Sequence, residues 1–218
     1  EGERQSTLRI LRAVKNRFGS TNEIGIFEMS GSGLIEVPNP SMALLSGRPE
    51  QASGTCVTAV MEGSRPILAE IQALASKTSY PMPKRSTNGL DFNRIAMLIA
   101  VLEKRCGYFF GTLDVYLNVA GGLRIDEPST DLAVVLALIS NLTDRPLDES
   151  MVAFGEVGLA GEVRAVNRVQ QRVGEAYRLG FRRIILPAHN VEAINLKNHP
   201  GLELTGIRSV RELRRLFG

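Results

Sequence analysis

Eight consecutive apolar residues, Leu132-Ala133-Val134-Val135-Leu136-Ala137-Leu138-Ile139, constrain this chain more than any other segment. A helix that is apolar all round has no solvent face and must be covered on every side. No apolar run in the 218 residues is longer, and eight is well short of the roughly 20 that a membrane span needs. The remaining sequence therefore has to supply the layers that bury it. With 44% hydrophobic and 22% charged residues, the composition is that of a globular protein, and the length suits one full domain plus an extra piece.

Those layers can be read along the chain. Thr7-Leu8-Arg9-Ile10, running on through Val14, has the alternation of a strand. Residues 23–29 and 34–37, joined by Ser30-Gly31-Ser32-Gly33, read as a β-hairpin with a four-residue turn. One strand and a hairpin cannot bury a core alone, so residues 1–50 read as the tail of a larger domain. A separate α+β domain is expected over 51–218. It has paired strands over 55–61 and 66–75, turning at Glu62-Gly63-Ser64-Arg65, and then a polar loop over 76–89. Asp91 can cap a helix carrying Ile95, Leu98, Ile99 and Leu102 that ends before Gly107. Strands follow over 112–119, 151–157 and 183–187. An amphipathic helix is marked by Val166, Val169, Val173, Ala176 and Tyr177. Ser209-Val210-Arg211-Glu212 fits a capping box opening the last helix.

The net charge of +3 hides a gradient. Residues 161–218 hold eleven basic and five acidic side chains, whereas residues 51–160 hold nine and twelve. Such a surplus suits a polyanion or an acidic neighbouring subunit, with a solvated Arg-rich face as the alternative. The cations are 21 Arg and 5 Lys, and no lysine occurs between Arg105 and Leu196. Lysine is the cation that can be tuned into a general base; arginine is not. Cys56 and Cys106 stand 50 residues apart in apolar settings and read as reduced core thiols of a cytoplasmic protein. Glu1-Gly2-Glu3-Arg4 is too polar for a signal peptide. His189 and His199 lack metal-ligand spacing and read as surface loop residues, so no metal site is expected.

There is no G-x-x-x-x-G-K-[ST] loop and no G-x-G-x-x-G at a strand-to-helix junction, so no nucleotide cradle is expected in these residues. The informative order is Asp126-Glu127-Pro128-Ser129-Thr130-Asp131 before the buried helix, then Gly155-Glu156-Val157-Gly158-Leu159-Ala160-Gly161-Glu162-Val163 before the amphipathic one. This order resembles the proteolytic domain of Lon proteases, which pairs a serine with a lysine. A serine at a helix N-terminus sits among free N–H donors, and a desolvated lysine can deprotonate it. Ser129 falls on the nucleophile position and the lysine position falls on Gln170, which cannot accept the proton. Asp131 stands where the protease has glycine and would oppose an oxyanion. A degenerate dyad is therefore expected, with Ser129 as an N-cap residue and no catalytic residue in this chain; a Ser129-dependent peptidase is the alternative.

A narrower resemblance covers essentially the whole sequence. Lys15-Asn16-Arg17-Phe18-Gly19, Asn39-Pro40-Ser41, Val101-Leu102-Glu103-Lys104-Arg105 and Asn118-Val119-Ala120-Gly121-Gly122, with the two segments above, resemble the bacterial RadA/Sms DNA repair proteins. The resemblance implies a Lon protease-like domain of the ribosomal protein S5 domain 2-like class, preceded by the β-hairpin tail of a RecA-like ATPase domain. In the longer family protein it implies a zinc finger, an ATP- and Mg-dependent ATPase acting as a helicase on branched DNA, a hexameric ring, and a recombinase of the RecA type as partner. Lys15 and Arg17 would then reach a neighbouring subunit's nucleotide.

Two basic surfaces are candidates for DNA. Arg168 and Arg172 are expected to share one exposed flank of the helix after Val166, with Arg164 before them and Arg178 and Arg182 beyond. Such a patch suits sequence-independent phosphate contact, and pairing of Arg172 with Glu175 is the alternative. The second is the loop holding Lys77, Tyr80, Lys84 and Arg85, whose aromatic side chain can stack on a base; an ordinary exposed loop is the alternative.

Overall fold

The structure is a computed structural model that describes residues 8–12, 24–31 and 33–217. It is a mixed α+β fold with three sheets. Strands β1 (Leu8–Arg12), β2 (Ile24–Ser30) and β3 (Gly33–Glu36) form an antiparallel sheet. Its register pairs Ser30 with Gly33, so both ends of the expected four-residue turn belong to strands. Asn39 then caps a short helix, α1 (Pro40–Leu45), by accepting the Met42 N–H at 3.2 Å.

The main sheet is seven-stranded and begins with the antiparallel pair β4 (Thr55–Glu62) and β5 (Arg65–Lys77), which turn at Gly63 as expected. The region expected to be a loop holds a further strand, β6 (Arg85–Asn88). Its polar sequence carries no apolar alternation, because it is an edge strand paired in parallel only through part of β7 (Leu113–Val119). Between them runs α2 (Phe92–Val101), capped by Asp91 and ending through a wider turn at Gly107, whose φ is +71°.

Helix α3 (Asp131–Thr143) is the buried helix, and every residue from Asp131 to Ser140 is inaccessible. It packs on one face of β4 and β5, against Cys56, Val60, Ile67 and Ile71. The next stretch, expected as a single strand, is broken into β8 (Met151–Ala153) and β9 (Glu156–Val157). Gly155 lies in the break because its backbone is used elsewhere. Its N–H donates to the Ser129 carbonyl at 2.6 Å, and its carbonyl accepts the Leu132 N–H at 3.1 Å. Strand β10 (Val163–Arg164) folds back on β9.

Helix α4 (Val169–Arg178) starts three residues later than the expected stripe, behind Arg168 in a left-handed conformation, φ +52°. Through Val169, Val173 and Ala176 it covers the opposite face of the sheet, against Val57, Ala59, Leu68 and Phe154. Ser41 of α1 ties this layer together: its Oγ accepts the Leu68 N–H at 3.1 Å and donates to Glu175 at 2.8 Å. Strand β11 (Arg183–Pro187), helix α5 (Ala188–Val191) and strand β12 (Glu203–Ile207) complete the fold, giving the order β12-β11-β8-β4-β5-β7-β6. The capping box at Ser209 and Glu212 is formed and opens a final tight helical stretch, Val210–Leu216. Among the described residues no helix is long and apolar enough to cross a membrane.

Candidate functional site: a serine held by a buried arginine

Pro128–Thr130 make a single tight turn that feeds α3. Ser129 is 3% exposed within it and does not cap the helix, contrary to the N-cap expectation; Thr130 occupies the cap position. What reaches Ser129 is Arg172, whose Nη1 donates to Oγ at 3.0 Å.

Arg172 is fully buried, so its expected place on an exposed, DNA-facing flank is wrong. It lies three residues after Val169 and four before Ala176, on the buried face of α4. Its donors are all directed into the fold. Nε donates to the Asn167 carbonyl at 3.0 Å and Nη1 to the Ala59 carbonyl at 2.5 Å. Both terminal nitrogens reach Glu127, Nη1 at 3.2 Å and Nη2 in a closer ion pair. The carboxylate of Glu127 also accepts the Met61 N–H at 2.8 Å. One guanidinium thus joins α4, β4 and the turn before α3, with a carboxylate to neutralise it. Glu175, the alternative partner for Arg172, pairs with Arg178 instead, at 2.8 Å.

Gln170, on which the lysine position was placed, is exposed and donates to the Ala193 carbonyl at 2.8 Å. The side chain that stands beside Ser129 comes from two residues further along the helix. A guanidinium has donors and no acceptor, so it cannot take the serine proton. The described lysines, Lys77, Lys84, Lys104 and Lys197, are all exposed, whereas Ser129 is inside.

A second guanidinium braces the same turn from the other side. Arg94 of α2 binds Asp131 through Nε at 3.0 Å and through a closer contact from Nη2. Asp131 in turn accepts the Val157 N–H at 2.9 Å. Burial pushes the Asp131 carboxyl above its ordinary value, while Arg94 and the Val157 N–H oppose that rise. The Asp131 hydrogen bond pushes the Arg94 guanidinium up. A cavity of about 300 Å³ opens here, lined by Leu90, Ile95, Ile125 and Val134 beneath Asp91 and Asp126; Pro128 and Thr130 face it. The Arg94–Asp131 pair had no periodicity to announce it, and only the fold brings the two together.

The surface arginines differ in how much charge they leave free. Arg164 is exposed but sits 2.6 Å from Glu162 and 3.9 Å from Glu156. Arg178 is spent on Glu175. Arg168 donates to the Gly63 carbonyl at 2.7 Å, and Arg182 stacks 4.4 Å from the Tyr177 ring centre. Arg168 and Arg182 are exposed and neutral acceptors hold them, so their charge stays uncancelled. They lie outside the two ends of α4, a ten-residue helix about 15 Å long.

In the second basic surface, Lys77 and Lys84 are exposed and Lys84 lies 3.8 Å from the Tyr80 ring centre. Arg85 turns inward to the carbonyls of Phe110, at 2.8 Å, and Leu113. Lys15 and Arg17 lie outside the described residues. No group of three or more metal-ligating side chains occurs among the described residues.

Residues 99–213 match the Lon protease (S16) C-terminal proteolytic domain. The chain is 53% identical over 215 residues to a Bacillus subtilis protein named DNA repair protein RadA, covering 99% of this chain and 46% of that protein. Its identity to the Streptococcus pneumoniae protein of that name is 50% over 218 residues, covering 100% of this chain and 51% of that one. For Streptococcus pyogenes it is 49% over 213 residues, covering 98% and 47%. The chain spans about half the length of these curated relatives.

Proposed function

We propose, from the premise that this chain belongs to the Lon protease C-terminal domain family in the form carried by DNA repair proteins named RadA, that it binds DNA and does not cleave peptides. The observation that carries this reading is the place of Arg172. A permanently charged donor, neutralised by Glu127, stands where a proton acceptor would have to be. In the longer protein the domain serves as the scaffold of a hexameric ring and as a platform for double-stranded DNA during ATP-driven branch migration. A zinc finger and a RecA-like ATPase with ATP and Mg belong to that protein, with a RecA-type recombinase as partner and the cytoplasm as location. Lys15 and Arg17 are proposed to reach the nucleotide of a neighbouring subunit.

The duplex surface follows α4 and its flanks, with Arg168 and Arg182 as the leading contacts because their charge is not cancelled. Arg164 and Arg178 contribute less, since Glu162, Glu156 and Glu175 offset them. That pairing favours the competing reading, an oligomerisation module without DNA contact. A salt titration of duplex binding by fluorescence anisotropy separates the two. Arg168→Ala and Arg182→Ala should each weaken binding and lower the log–log salt slope by about one. Unchanged affinity and slope in the double variant would remove this surface and leave the module.

A further inference from the structure

We infer that the tip formed by residues 77–84 and 107–112 binds unpaired nucleotides, taking bases on Tyr80 and Phe109 and phosphates on Lys77 and Lys84. The inference rests on the reading that this chain contacts nucleic acid, and it assigns a different surface to a different form of it. The two loops leave the same end of the sheet and are fastened together. The Thr78 N–H donates to the Thr112 carbonyl at 3.2 Å, and the Lys84 N–H to the buried Asp114 carboxylate at 2.7 Å. The Arg85 guanidinium locks onto the carbonyls of Phe110 and Leu113.

At this fastened tip the apolar side chains point into solvent. Tyr80 is 56% exposed, Met82 79% and Phe109 63%. Exposed aromatics on a mobile tail would say little, but these are positioned. The Lys84 ammonium lies on the Tyr80 ring, and the Phe109 ring lies over Gly111, where an added Cβ would meet it at 2.7 Å. One face of each ring is taken by these contacts, and a base would stack on the opposite, solvent-facing side of a ring already held in place, so little ordering is needed.

Charge selects the occupant. Residues 76–89 and 107–113 contain Lys77, Lys84 and Arg85 and no Asp or Glu. The nearby carboxylates face inward: Asp114 accepts the Lys84 N–H, and Glu103 accepts the Phe110 N–H at 2.8 Å. Aromatic faces beside uncancelled cations match a polyanion with exposed bases. A closed duplex hides its base faces in the stack and would engage only the lysines.

The test is anisotropy on the 218-residue chain with three labelled probes of equal length: oligo-dT, an abasic strand and a duplex. The native chain should bind oligo-dT at least ten-fold more tightly than the abasic strand. Tyr80→Ala with Phe109→Ala should remove that preference while leaving abasic and duplex binding unmoved. Lys77→Gln with Lys84→Gln should weaken oligo-dT and abasic strands alike. All four side chains are exposed, and thermal melting should show native-like folding. Equal native affinity for oligo-dT and the abasic strand would overturn the inference, as would an unaltered preference in the aromatic double variant. If instead the aromatic variant loses binding to anionic phosphatidylglycerol vesicles and keeps the oligo-dT preference, the tip is a membrane contact and the inference also fails. Arg168→Ala with Arg182→Ala in the duplex arm reads the α4 surface separately, and the oligo-dT preference over the abasic strand reads the tip, so either surface can fail without the other.

Discussion

Arg172 decides more of this molecule than any other residue. It is fully buried, it joins Ser129, Glu127, Ala59 and Asn167 in one hydrogen-bonded group, and its charge is balanced by the Glu127 carboxylate. Removing one member of a buried pair strands the other, which typically costs about 3–5 kcal/mol. Glu127 is 27% exposed, so solvent reduces that penalty toward the lower end. Arg172→Ala should therefore lose about 3 kcal/mol in urea unfolding, whereas Arg178→Ala, an exposed pair, should lose less than 1. Equal losses in the two variants would mean that Arg172 is not the brace described. The sequence announced that a lysine was missing, but not which residue had replaced it. Counting Val166 and Tyr177 into the apolar stripe rotates it toward Gln170. Because the helix starts at Val169, the stripe centres on Val169, Val173 and Ala176 and draws Arg172 inside.

At the scale of elements, the strongest patterns were legible and the weak ones failed for identifiable reasons. The all-apolar α3, the β4–β5 hairpin, the Asp91 cap and the Ser209 capping box are local signals, and each is present. Strand β6 is polar because it is a partly exposed edge strand paired with β7 alone, with Asn88 donating to Asn118 at 2.8 Å. The break between β8 and β9 exists to serve the turn at Ser129, a contact 26 residues away in sequence. The entry to β8 carries a testable charge effect. Asp148 is held below its ordinary value first by the Ser150 hydroxyl, and also by Arg183 at the start of β11. A depressed carboxylate adds stability above its unfolded pKa and loses it as pH falls through the folded one. The native chain should thus lose stability below about pH 4 more steeply than Asp148→Asn in urea titrations at stepped pH. Parallel acid limbs for the two proteins would exclude a contribution from this carboxylate.

Across the whole molecule, the charge gradient read from the sequence divides into two unequal uses. Part of the C-terminal surplus is spent within the fold: Arg172 is buried with Glu127, and Arg164, Arg178 and Arg183 pair with carboxylates. The rest stays at the surface, where Arg168 and Arg182 beside α4 and Arg211 and Arg214 near the C-terminus are exposed and bonded to neutral carbonyls; Lys77 and Lys84 at the tip lie outside that surplus. Charge counting cannot separate these uses, because burial is settled by contacts between residues far apart in the chain. We propose that in this Lon-type fold a structural arginine stands where a peptidase would need its proton acceptor. The most direct measurement treats the native chain with a fluorophosphonate serine probe and maps adducts by mass spectrometry. Ser129 should remain unmodified; an adduct on Ser129 would show that Arg172 does not preclude its activation.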